Sequence, residues 1–123
     1  MATLNDLVFD SGLTVLDTYG NKITITSAEA TTYTQGNATF ALGSSTSLSI
    51  AAPSDRTGGG RKVTASAITD GSVSASGTAT HYAILDTVNS RLLATGSLTA
   101  SQAVTSGNTF TLSAFDIGIP DPA

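Results

Sequence analysis

The side chains with the greatest chemical reach in this chain are one histidine, nine carboxylates and five cations. His81 stands in Thr80-His81-Tyr82, with Asp86 farther along the same stretch. A nucleophilic triad or a metal site needs several such groups converging on one point. On an unbroken strand the odd spacing from His81 puts Asp86 on the opposite face, so His81 reads as structural. Glycoside hydrolysis needs two juxtaposed carboxylates. Here Asp10, Asp17, Asp55, Asp70 and Asp86 all stand in turn-like segments, where Asp serves its own backbone. No D-x-D-x-D-G calcium loop occurs. With no cysteine, disulfides and thiolate metal sites are impossible. The residues argue against an enzyme and call for no cofactor and no metal.

The basic residues are less evenly spread. Arg56, Arg61 and Lys62 bracket Gly58, Gly59 and Gly60 within Pro53–Lys62, leaving only Lys22 and Arg91 elsewhere. Ordering three glycines is costly in backbone entropy. Two readings stay open: a loop that folds against something through these three cations, or a wet, mobile hairpin connection. A phosphate cradle is rejected, because the G-K-S/T ending of a P-loop is missing and Lys62 opens a strand. Asn37-Ala38-Thr39 matches the glycosylation sequon and reads as coincidence.

Composition bounds the class. The 123 residues suit one domain, with residues 1–12 read as an N-terminal arm and 115–123 as a C-terminal tail. Charged residues are 11% of the chain, against roughly 25% in an average domain. Ser and Thr, at about 30%, take their place. A hydroxyl-covered surface suits extracellular and particle-borne β proteins. The net charge of −4 disfavours nucleic acid as a partner. Met1-Ala2-Thr3-Leu4 lacks the features of a signal peptide. No run approaches the roughly 18 apolar residues that cross a bilayer, so no membrane partner is expected.

The elements that would position these residues are strands. His81–Leu85 and Arg91–Leu98 flank the turn segment Asp86–Ser90 and form a central hairpin. Leu92 and Leu93 are adjacent and should point to opposite faces, as inside a sandwich. Leu13–Leu16 and Lys22–Thr26, joined at Tyr19-Gly20-Asn21, predict a second hairpin, with Ile23 and Ile25 on one face. Short strands follow at Phe40–Leu42, Ser47–Ala51, Val63–Ala67 and Thr109–Ala114. Asp70-Gly71 predicts a tight type I′ turn, after which Val73–Gly77 pairs back. Leu4, Leu7, Val8 and Phe9 cluster near one end; Phe115, Ile117 and Ile119 line one side of the other. The tail either adds an edge strand or docks onto a partner. Both ends are sticky, as in chains built for assembly.

Ser76–Asp86 (S-G-T-A-T-H-Y-A-I-L-D), Arg91–Leu98 (R-L-L-A-T-G-S-L) and Ala103–Leu112 (A-V-T-S-G-N-T-F-T-L) resemble small virion structural proteins of tailed bacteriophages. Leu4–Leu13 and Asp55–Val63 resemble the same group. The resemblance covers most of the chain and implies an all-β, antiparallel β-sandwich of jelly-roll or immunoglobulin-like form. It implies a head decoration or cement protein whose partners are the major capsid protein and sister copies. That location is the virion, after assembly in the host cytoplasm. It carries over no catalytic residue and no small-molecule substrate. The expected interface is Leu4, Leu7, Val8, Phe9, Arg56, Gly58, Gly59, Gly60, Arg61, Lys62, Phe115, Ile117 and Ile119. The alternatives are a tail or neck subunit, or a tail-tip module for carbohydrate or receptor.

Overall fold

The computed structural model describes residues 6–119. In chain order these form helix α1 (Asp6–Tyr19), β1 (Lys22–Thr26), a π-helical turn at Gln35–Thr39, β2 (Ala41–Ser45) and β3 (Ser54–Asp55). Then come β4 (Arg61–Ala65), β5 (Ile68–Val73), β6 (Gly77–Asp86), β7 (Arg91–Val104), β8 (Thr109–Leu112) and β9 (Phe115–Ile119). The described fold is mostly antiparallel β. One six-stranded sheet runs β7-β6-β1-β2-β5-β8 and a three-stranded sheet runs β3-β4-β9.

The expected strand Leu13–Leu16, and the described part of the expected arm from Asp6 onward, form the helix α1, while Lys22–Thr26 is a strand as expected. Leu13 and Leu16, three apart, fall on one helical face and are both buried, whereas Val15 is exposed. A strand would have placed Val15 beside Leu13. The 3.6-residue period therefore overrides the short alternation and the weak helix formers Gly12, Thr14 and Val15. The turn at Gly20 is real, but it joins a helix to a strand. The Gly20 N–H donates to the Leu16 carbonyl at 3.0 Å and ends α1.

β1 lies inside the larger sheet, between β6 and β2. Ile23 and Ile25 are fully buried, as the alternation predicts, but so are Thr24 and Thr26 on the other face. The Thr24 hydroxyl donates to the Gly36 carbonyl and Thr26 to the Ala28 carbonyl, each at 2.8 Å. The π-helical turn thus lies over this face and satisfies a hydroxyl that burial would otherwise penalise. The β6–β7 hairpin forms as expected, but not at the centre: β7 is an edge strand of the larger sheet. Leu93 packs against the shared core while Leu92 lies near Gly36 of the π-helical turn, so the pair does split across the sheet.

Asp70-Gly71 is no hairpin turn; both residues lie within β5. The Phe110 ring sits where a Gly71 side chain would begin, so glycine is used here for space. Asp70 instead accepts from Ser45 Oγ at 3.0 Å and Ser47 Oγ at 2.6 Å. Those two hydroxyls hold its carboxyl below the usual range. Val73–Gly77 does not pair back: residues 74–76 connect β5 to β6. Ser47–Ala51 shrinks to a single bridge between Ile50 and Ala65.

One apolar cluster joins the two sheets and the helix: Leu13 and Leu16 from α1, Ile23, Ile84 and Phe110 from the larger sheet, Val63 and Ala65 from the smaller. The larger sheet must curl. β7 and β8 are its two edges, yet residues 105–108 alone connect them. In a flat sheet these edges would lie about 24 Å apart at the usual strand spacing. A connection this short spans at most roughly 18 Å. Curling brings β8 back towards β7, where the Gln102 side-chain amide donates to the Thr111 carbonyl at 2.9 Å.

Candidate functional site

Three segments far apart in sequence meet around β4. β9 pairs along its length, from Arg61 opposite Ile119 to Ala65 opposite Phe115. β3 pairs on the other side. α1 is tied in by Arg61, whose Nε donates to Asp10 Oδ1 at 2.9 Å and whose Nη2 donates to Asp10 Oδ2 at 3.2 Å. The same guanidinium reaches Asp55 at 2.7 Å and the Pro53 carbonyl at 3.3 Å. Lys62 pairs with Asp116 at 3.0 Å, and Thr64 donates to the same carboxylate at 2.6 Å. The Thr64 hydroxyl and the Lys62 ammonium hold Asp116 below the usual carboxylate range.

The glycine triplet forms the tip of the β3–β4 hairpin. Gly58, Gly59 and Gly60 have φ of 90°, 104° and 90°, which side-chain-bearing residues rarely adopt. Arg56 Nη1 donates to the Gly59 carbonyl at 3.0 Å, and the Arg56 side chain lies over Gly118. Arg61 and Lys62, which one of the two readings would turn toward something else, contact the chain's own acids. A hollow of about 230 Å³ between Arg56, Thr57, Lys62 and Asp116 is the open space left beside them.

Leu4 lies outside the described residues, as do the side chains of Val8 and Phe9. Phe115 and Ile117 pack partly against the core, Phe115 stacking tilted on Tyr82 with ring centroids 4.4 Å apart. The described part of the tail, Phe115–Ile119, therefore supplies an edge strand. Cutting the chain after Ala114 would strip β4 of a partner as well as removing surface.

What remains exposed and apolar gathers elsewhere. Leu7 and Val15 lie on the side of α1 turned away from Leu13 and Leu16, with Leu7 71% exposed, and Tyr19 is exposed on the flank beside Leu16. The Arg91 guanidinium lies 5.0 Å from the Tyr19 ring centre, so the β6–β7 tip adjoins the end of the helix. That tip carries Val88, 81% exposed. Ile119, also exposed, approaches α1 at Gly12. Of these five, only Leu7 and Ile119 were legible as interface candidates. Val15 and Tyr19 follow from the i, i+4 spacing once a helix is assigned, and Val88 only from the turn that lifts it out.

The chemical groups stay apart. His81 Nδ1 faces Thr80 Oγ1 at 2.8 Å, while the Asp86 carboxylate is engaged by its own turn. Among the described residues no group of three or more His, Asp or Glu is placed to hold a metal ion. No helix among them is long and apolar enough to cross a membrane. Comparison with known proteins finds no matching family model, no matching curated protein and no matching solved structure.

Proposed function

We propose that this protein is a non-enzymatic structural subunit of a bacteriophage particle, a decoration or cement protein that bridges major capsid subunits and sister copies. The observation that carries the proposal is the set of exposed apolar side chains on α1 and on the hairpin tip beside it. Four exposed large apolar side chains, Leu7, Val15, Tyr19 and Val88, run along one helix and the hairpin tip beside it, with Ile119 near by. We read this grouping of large apolar side chains on one part of a small domain as an interaction surface. Within the same reading the two sheets, which share one core, are the halves of a β-sandwich.

The mechanism is adhesive. A subunit that binds only the assembled shell stabilises it by mass action. Few charges and many hydroxyls allow close repeated contacts without like-charge repulsion. The test is co-sedimentation of the purified protein with particles that lack it. Saturable binding at a fixed ratio to the major capsid protein is expected, and Val15→Glu with Leu7→Glu, both at exposed positions, should weaken it at least ten-fold. Failure to bind heads, or full binding by the double variant, would remove the basis for this assignment.

A further inference from the structure

The seam of the curled sheet holds a second feature, sharing no residue with the α1 face. β7 and β8 diverge from residues 105–108 and are stitched once, by Gln102 to the Thr111 carbonyl. Beyond that stitch the seam widens into a hollow of about 340 Å³, at the small end of the ~300–1,000 Å³ range of ligand sites. One wall is a wide bulge. Between the Ala79–Gln102 and His81–Ser97 pairs, β7 carries three more residues than β6. Bulges of this kind collect beside binding sites because they re-aim side chains and leave backbone groups unpaired.

The lining has a consistent chemistry. Tyr82 and Phe115 supply the aromatic part, and none of the other lining residues is ionisable. Ser97, Thr99 and Ser113 also border the hollow, and their hydroxyls have no side-chain hydrogen bond among the described residues. Gln102, its amide N–H committed to Thr111, keeps its Oε1 as an acceptor. Aromatic surface beside neutral donors and acceptors, without charge, suits a ligand with apolar C–H faces and a rim of hydroxyls. An inserted peptide strand is less suited, because the Gln102 stitch interrupts the open edges such a strand would need.

We propose that this hollow binds a neutral pyranose sugar, as a monosaccharide or one ring of a glycan, between the Tyr82–Phe115 pair and the β7 bulge. Binding of a single ring in so open a site falls in the millimolar range. The experiment is an amide-resolved NMR titration of the full chain with a panel of neutral methyl glycosides. At least one should give saturable shifts confined to Tyr82, the β7 bulge and residues 113–115. Ala114→Trp, which fills the hollow from an exposed position, should weaken that binding at least ten-fold with an unchanged melting temperature. The pair Ser97→Ala and Ser113→Ala removes hydroxyls without adding bulk and should weaken it several-fold, so the test survives if the tryptophan variant misfolds. The proposal is overturned if no glycoside shifts these residues saturably, if the serine pair binds unchanged, or if an extended apolar peptide occupies the seam instead.

Discussion

Two hairpin tips in this molecule use the same pair of residue types in opposite ways. At the β6–β7 tip the carboxylate is inside. Asp86 is 1% exposed and accepts from the Val88 and Asn89 N–H groups, from Asn89 Nδ2, and from Arg91 Nε and Nη2. The Arg91 side chain is half exposed. At the β3–β4 tip the cation is inside. The Arg61 side chain is 16% exposed and Asp55 opposite it is 89% exposed. One tip is shaped by a carboxylate that holds the backbone; the other relies on three glycines and anchors a guanidinium to a distant helix. The lesson is that an Asp–Arg pair has no fixed worth. The buried member, and what else it holds, sets the consequence of losing it.

The largest expected effect is at Asp86. Asp86→Ala removes the side-chain acceptor of two backbone N–H groups and the carboxylate partner of Arg91, and should lower Tm by roughly 5–10 °C in a thermal melt. The same carboxyl makes the comparison pH-dependent. Hydrogen bonds from the Asn89 amide and then Arg91 hold it down to about 2, outweighing the opposing push of desolvation. A depressed folded-state pKa stabilises fully above the unfolded value of about 4 and loses that contribution as pH falls towards 2. The difference in Tm between the wild type and Asp86→Asn should therefore shrink across pH 4 to 2. A constant difference would mean the carboxylate charge contributes nothing.

Next comes Arg61→Met, which keeps the apolar stem but drops the contacts to Asp10, Asp55 and Pro53. A loss of about 1–3 kcal/mol in urea unfolding is expected, with faster amide exchange in α1 because its tie to β4 is cut. Backbone changes at the two tips should have opposite signs. Gly59→Ala, at φ 104°, should cost roughly 1–2 kcal/mol, whereas Ser90→Gly, at φ 54°, should be neutral or gain a few tenths. The smallest change should be Asp55→Ala, below about 0.5 kcal/mol, since its carboxylate is solvated and Arg61 keeps Asp10. Were Asp55→Ala to match Asp86→Ala, the distinction between the tips would collapse.

Several of these features could be read in the chain before folding. The β6–β7 hairpin, the inward Ile23 and Ile25, the inward Phe110 and Leu112 and the turn at residues 105–108 all rest on local patterns that tertiary packing had no reason to override. α1 was missed because Leu13-Thr14-Val15 satisfies two periods at once, and only the burial of Leu16 with Leu13 decides between them. Asp70-Gly71 misled because a glycine has two uses, backbone freedom and empty space, and Phe110 selects the second from about forty residues away. The candidate interface was half legible. Leu7 and Ile119 are ends of apolar clusters, but Val15, Tyr19 and Val88 become neighbours only when α1 lies beside the β6–β7 tip.

By itself the sequence determined what local chemistry can determine: a β-rich chain with few charges, hydroxyls in their place, and short strands punctuated by Gly, Asn and Asp. It also determined which acids and bases exist to be paired. Only the tertiary structure decided that Arg61 and Lys62 are spent on Asp10, Asp55 and Asp116, that the tail closes the smaller sheet, and that a hollow opens along the seam. The reason is physical. Turns and periodicity follow from neighbours within a few residues, whereas ion pairs, sheet edges and cavities depend on where curling and core burial bring distant segments together.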